Sequence, residues 1–215
     1  MRIVRLPGVF APRSDTWMLA GHLRRDPRAR GDVLDVCTGS GAIAISAALA
    51  GARTVTAVDV SRRSLATVRC NARLNGVDVR TRRGELLDAV PGEVFDVIAA
   101  NPPYLPSPEE LPTRGTARHT EAGPDGRILL DRLIAQAPGH LRPGGALLVT
   151  HSSVNDEQRT LDAMADAGLE PHLLERRRGP LGPLLSARAP ELERAGLLAP
   201  GEREEDVLVV AGAAR

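Results

Sequence analysis

The sequence predicts one α/β domain, a seven-stranded and mostly parallel sheet with helices on both faces. Three observations carry this expectation. The 215 residues suit a single domain of this class. From Gly31 onward, short apolar runs alternate with stretches of helical period. The first of those runs ends on a glycine-rich turn that opens a helix. A chain of this length buries roughly 70% of its unfolded surface and needs no disulfide or metal staple. Trp17, Phe10, Phe95 and Tyr104 are the whole aromatic stock, so the core must be aliphatic.

Taken in order, residues 1–30 mix short apolar stretches with Pro7, Pro12 and Pro27 and read as an N-terminal lead-in segment to a main domain over 31–215. A short helix begins near Trp17, with Ser14 or Asp15 as its N-cap. Strands are expected at 33–36, 54–58, 77–81, 95–100, 146–150, 171–174 and 206–210. Helices are expected at 42–49, 62–74, 128–141, 156–167 and, more briefly, 186–195. Arg142-Pro143-Gly144-Gly145 reads as a turn. Two long loops, 107–126 and 179–205, interrupt the rhythm, and loops of that length in a compact domain are usually functional.

Composition excludes several function classes. No apolar run approaches the ~18 residues of a membrane-spanning helix, and the first ten residues lack a secretory signal's apolar stretch. A cytoplasmic location is expected. All 28 basic residues are arginine, against 27 acidic ones, and a net charge of +1 argues against a broad footprint on duplex nucleic acid. The clusters Arg62-Arg63, Arg82-Arg83 and Arg176-Arg177-Arg178 read as solvated faces. Cys37 and Cys70 lack metal or redox spacing, and no metal site is expected.

Chemistry concentrates at two places. In Asp35-Val36-Cys37-Thr38-Gly39-Ser40-Gly41, Gly39 and Gly41 let the chain turn tightly and let a ligand approach where a Cβ would collide. Alone, Gly39-x-Gly41-x-x-Ala44 also fits a dinucleotide fingerprint, or simply a glycine turn. Asp59, 18 residues after Gly41, ends the second strand, where a carboxylate accepts hydrogen bonds from both hydroxyls of a ribose. Asp35 at the strand tip suits the ammonium of S-adenosylmethionine and would repel a pyrophosphate. Glu85, after the third strand, is placed to read an adenine amino group.

The second place is Asn101-Pro102-Pro103-Tyr104, after the fourth strand. A planar nitrogen has its lone pair delocalised and is a poor nucleophile. The Asn101 side-chain carbonyl and the Pro102 main-chain carbonyl can accept its two N–H bonds and favour a pyramidal nitrogen. Prolines fix φ and hold those acceptors in place. Tyr104 offers a flat face for stacking.

With these residues in hand, the chain resembles the class I methyltransferases of the HemK type, which methylate the side-chain nitrogen of glutamine in release factors. The resemblance runs from about Gly8 to the C-terminus, and implies a Rossmann-like fold over 31–215 with S-adenosylmethionine as cofactor. Residues 9–16 are similar to the family's lead-in motif, in which the threonine, here Thr16, contacts the cofactor. The resemblance adds Val60, Leu86 and Asn101 to Asp35, Cys37, Gly39, Gly41, Asp59 and Glu85 as cofactor contacts, and makes Asn101, Pro102 and Tyr104 the catalytic set. Residues 122–127 and 178–183 look like two further family segments. The match is to a short branch lacking an N-terminal helical bundle, which often works with a small zinc-binding partner along a sheet edge.

Three departures stand out: Cys37 for a glycine, Glu85 for the commoner aspartate, and Pro124 for a glycine. The leading expectation is an S-adenosylmethionine-dependent N-methyltransferase acting on a protein or peptide, a release-factor glutamine first. Adenine N6 methylation, tailoring of a peptide or small metabolite, and a non-catalytic partner subunit are the alternatives. His119 and His151 are expected near the cleft as hydrogen-bonding residues rather than bases.

Overall fold

The computed structural model describes residues 1–108, 111 and 117–215. Its strands are β1 (Asp32–Val36), β2 (Thr54–Asp59), β3 (Arg80–Arg83), β4 (Phe95–Ala100), β5 (Leu141–Ser152), β6 (Leu169–Pro180) and β7 (Glu204–Ala214). Its helices are α1 (Ser14–Arg25), α2 (Ala42–Leu49), α3 (Arg62–Asn75), α4 (Ile128–Gln136), α5 (Glu157–Asp166) and α6 (Pro183–Arg194). The seven strands lie in the order β3-β2-β1-β4-β5-β7-β6. The first five pair in parallel, and β7 runs antiparallel to both β5 and β6. Among the described residues, no helix is long and apolar enough to cross a membrane.

The period of two along each central strand sorts side chains into two cores. Leu34, Val36, Ile98, Ala100, Leu147 and Val149 face α4 and α5. Val33, Val97, Ala99, Ala146 and Leu148 face the other way, onto Met18, Leu19 and Leu23 of α1 and Ile43, Ala44 and Ala47 of α2. With both faces covered, the strands read as continuous apolar runs, which is why the sequence located them. A third, smaller cluster gathers Leu185, Ala189 and Leu192 of α6 with Val154, Leu181 and Leu198.

Several boundaries differ from expectation, each for a local reason. Thr16 Oγ1 accepts from the Arg13 amide at 3.3 Å, so Arg13 is the N-cap of α1, not Ser14 or Asp15. The third strand lies at Arg80–Arg83 rather than 77–81, because Val77 N–H closes α3 on Ala72 and Val79 packs on the second core. This edge strand has no apolar alternation to betray it. Helix α4 stops at Gln136 because Pro138 cannot continue it, and a 3₁₀ turn follows. The Pro143-Gly144-Gly145 turn sits inside β5 as a register irregularity opposite Phe95 and Val97. Strands β6 and β7 extend well beyond 171–174 and 206–210, and α6 starts at Pro183 instead of 186. The loop expected over 107–126 lies partly outside the described residues.

At the end of the sheet away from the glycine loop, charge fixes the pairing of the central strands. Asp96 accepts the Asp32 amide at 2.6 Å and Arg142 at 2.9 Å, while Arg142 also bonds Asp32 at 2.7 Å. The guanidinium of Arg53 beside Asp32 holds that carboxyl well below the usual carboxylate range. A Cβ on Gly31 would stand 2.0 Å from Asp96 Oδ2. Gly31→Ala is therefore expected to cost about 1–3 kcal/mol, seen as a lower urea midpoint with unchanged slope.

Candidate active site

The C-terminal ends of β1 and β4 lie side by side, with Asp35 opposite Ala99 and Val36 opposite Ala100. After β1 the chain winds to β2 and β3 on one side, then returns to β4 on the other. Parallel sheets open a crevice at such a switch point. Here the crevice is a cavity of about 730 Å³. The glycine loop after β1 forms one wall and Asn101-Pro102-Pro103-Tyr104 after β4 forms the floor. The end of β6 and the start of α6, from Arg177 to Leu185, close the far side.

The expected cofactor residues divide into two groups. Cys37, Gly39, Asp59, Val60, Glu85, Leu86 and Asn101 line the cavity. Thr16, Asp35 and Gly41 lie behind its wall. Asp59 accepts the Gly39 amide at 2.9 Å through Oδ2 and the Ser61 amide at 2.8 Å through Oδ1. Each oxygen keeps a lone pair for a ligand. Glu85 pairs with Arg132 of α4 at 3.1 Å.

Asp35 is fully buried, and Oδ2 accepts the Thr38 hydroxyl at 2.6 Å and the Ala44 amide at 3.0 Å. It thus shapes the loop and caps the first turn of α2, while Oδ1 has no hydrogen-bond partner among the described residues. Burial pushes its carboxyl up to about 7 against the pull of those two bonds. Gly41 is required by packing: its φ is +81° and a Cβ would stand 3.0 Å from Val68 of α3.

Cys37 has φ +58°, the left-handed region where glycine is favoured, so a glycine would sit there without strain. Burial, then the nearby carboxylates of Asp59 and Asp35, pushes its thiol far up, so it stays protonated. Leu86, at φ +46°, is the other strained residue on the wall.

The floor is held from two sides. Asn155 donates to the Tyr104 carbonyl at 2.7 Å and to the Asp125 carbonyl at 2.9 Å. Asn155 is in turn fixed by Arg127, fully buried, which bonds its carbonyl, the Thr160 hydroxyl at 2.8 Å and Asp131 at 2.6 Å. From the other side Tyr104 Oη donates to Asp15 at 3.0 Å, and burial with Asp15 holds the phenol well above its ordinary pKa. Asn101 Nδ2 donates to Thr16 Oγ1 at 3.1 Å. Among the described residues, neither Asn101 Oδ1 nor the Pro102 carbonyl accepts a hydrogen bond.

Sequence reasoning missed Phe10, Arg13 and Asp15, which line the cavity from the N-terminal side. The signal for Asp15 was present but spent on a helix cap. Of the two histidines, His119 lines the cavity. His151 is buried elsewhere, its Nδ1 on the Ser152 carbonyl at 2.9 Å, and burial lowers its pKa to about 4. Among the described residues no cluster of His, Cys, Asp or Glu could hold a metal ion.

Because the folded protein holds a proton on Asp35 that the unfolded chain releases near pH 4, Asp35 costs increasing stability as pH rises from about 4 to about 7. The stability of Asp35→Asn relative to the parent should therefore rise with pH across that window and level off above it, in urea titrations at each pH.

The methyltransferase small domain family matches residues 1–167. A chain of Methanocaldococcus jannaschii named as a protein N5-glutamine methyltransferase is 32% identical over 184 residues, 85% of this chain and 92% of that one. The release factor glutamine methyltransferase of Deinococcus radiodurans is 42% identical over 151 residues, 65% of this chain. That bacterial protein is longer, and the match spans 53% of it. Among solved structures, the Mtq2–Trm112 complex of E. cuniculi, responsible for methylation of the termination factor eRF1, superposes with a TM-score of 0.66 at 22% identity. It covers 97% of this chain and 99% of that one. With a doubly wound sheet, a carboxylate-rich glycine loop and a family match over most of its length, the chain belongs to the methyltransferase small domain family, as an S-adenosylmethionine-dependent methyltransferase of the HemK type.

Proposed function

We propose that this chain methylates the side-chain amide nitrogen of a glutamine in a protein, with a translation release factor as the substrate. The observation that carries the reading is the pair of open acceptors, Asn101 Oδ1 and the Pro102 carbonyl, on the cavity floor beside the glycine loop. The glutamine-methyltransferase names of the relatives support it.

The site suits S-adenosylmethionine by the chemistry of its donors. Asp59 and Glu85 on the wall, with Asp35 behind it, suit a ligand carrying a sulfonium and an ammonium and disfavour a pyrophosphate. In this reading Asp59 holds the ribose hydroxyls, Gly39 and Cys37 let the ligand lie close to the main chain, and Val60, Glu85 and Leu86 flank the adenine.

Bound there, S-adenosylmethionine would supply an electrophilic methyl, with its sulfur keeping the bonding pair and the methylated nitrogen giving up one proton to water. The chain's own residues make the nitrogen ready. Asn101 Oδ1 and the Pro102 carbonyl take its two N–H bonds, which weakens amide resonance and directs the lone pair. Tyr104, pinned at its hydroxyl by Asp15 and at its carbonyl by Asn155, presents a fixed face to the planar group. Acceptors held this rigidly need no reorganisation during the reaction.

Two measurements test the reading. Calorimetry with S-adenosylmethionine should show binding weakened about 10- to 100-fold in Asp59→Ala, and Cys37→Gly binding at least as tightly as the parent. Methyl transfer to a release-factor fragment containing Gly-Gly-Gln should fall about 10²- to 10³-fold in Asn101→Ala. Transfer by Asn101→Ala at the parent rate would overturn the proposal.

A further inference from the structure

Asp15 is a buried carboxylate, 5% exposed, at the start of α1. It is not the N-cap of its helix, and both of its oxygens are committed. Oδ1 accepts the Thr16 amide at 2.6 Å and the Thr16 hydroxyl at 3.2 Å, and Oδ2 accepts the Tyr104 hydroxyl at 3.0 Å. A chain of hydrogen bonds thus runs from Asp15 in two directions, to Tyr104 directly and to Asn101 through Thr16.

The direction of that chain follows from donor and acceptor chemistry alone. An ionised carboxylate only accepts. The single hydroxyl hydrogen of Thr16 is therefore spent on Asp15, and the Thr16 oxygen has only lone pairs left for its other neighbours. One meets the Arg13 amide at 3.3 Å; the other faces Asn101 at 3.1 Å. Asn101 must then turn its NH₂ toward Thr16, because its carbonyl oxygen would find an acceptor there. Among the described residues, the amide carbonyl is left without a protein partner.

We infer that Asp15 is a positioning residue that fixes which way the Asn101 amide faces, so that an acceptor rather than a pair of donors is offered to the substrate nitrogen. The inference deepens the proposed glutamine methylation and rests on that reading for its kinetic consequence. Without the carboxylate, the Thr16 hydroxyl is free to rotate and donate to Asn101 Oδ1. The inverted amide would then meet the substrate N–H bonds with N–H bonds of its own. Asp15 also anchors Tyr104, so one carboxylate coordinates the two side chains of the floor that meet the planar group.

The test has a spectroscopic arm and a kinetic arm. In ¹⁵N-labelled protein, the Asn101 side-chain NH₂ signals are identified by their loss in Asn101→Ala. They should shift, with faster hydrogen exchange, in both Asp15→Ala and Thr16→Val. Asp15→Asn keeps a carbonyl acceptor for Thr16 and should leave them near their parent positions. In methyl transfer to the Gly-Gly-Gln fragment, Asp15→Ala should lower kcat about 100-fold, with S-adenosylmethionine affinity within about threefold of the parent. In the Asn101→Ala background the same substitution should cost clearly less than in the parent, since the share routed through Asn101 is already gone and only the Tyr104 anchor is left to lose. Asn101 signals that stay in place in Asp15→Ala, or rate losses that multiply in full in the double variant, would overturn the inference. Unchanged methylation in Asn101→Ala would instead remove the proposed function, while the side-chain signals would still decide the role of Asp15.

Discussion

The parallel pairing of β1 with β4 is the constraint from which the site follows. These strands come from different halves of the winding, so their contact is where the connection reverses direction across the sheet. Their register sets Val36 against Ala100, and the next residues on each strand begin the glycine loop and the Asn-Pro-Pro-Tyr segment. A slip of one residue would send every side chain of one strand to the wrong core. Both faces are buried and distinct, one packed on α4 and α5, the other on α1 and α2, so that slip is strongly opposed. Aliphatic packing, not any bond within the site, sets the distance between the two chemical segments.

Residues that read most clearly from sequence are those whose chemistry is local. Gly39 and Gly41 announce a turn, Asp59 ends an apolar run, and two prolines after Asn101 demand a rigid exit from a strand. The central strands were legible because burial on both faces leaves an unbroken apolar pattern. The edge strand β3 was legible in its existence but not its bounds, since Arg80-Thr81-Arg82-Arg83 pairs on one side and needs no apolar face. Nor were β6 and β7 legible in full: their outer halves are held by pairing with each other, which leaves little hydrophobic trace. Asp35 shows the limit from the other direction. Its position at a strand tip was readable, but its burial and its bonds to Thr38 and Ala44 depend on how the loop folds back over it.

The same limit hides the shell behind the floor. Arg127, Asn155 and Asp15 come from three separated stretches of chain, and none belongs to a motif that names its partner. Arg127 reads as one arginine among 28, yet among the described residues it is the largest fully buried side chain. Its carbonyl, hydroxyl and carboxylate partners are what make that burial affordable. A buried guanidinium satisfied this fully is rigid, and the rigidity passes through Asn155 to the carbonyl of Tyr104.

Helix α6 and its small cluster of leucines stand apart from this framework. They are inserted between β6 and β7, two strands that pair with each other whatever lies between them. The sheet therefore places almost no demand on the length or sequence of the 181–203 connection. Arg188, which reaches the Pro106 carbonyl and Glu121, tethers it beside the cavity. The molecule is thereby divided into a frame whose register is fixed and an insert at the far side of the cavity whose length and sequence that frame does not dictate.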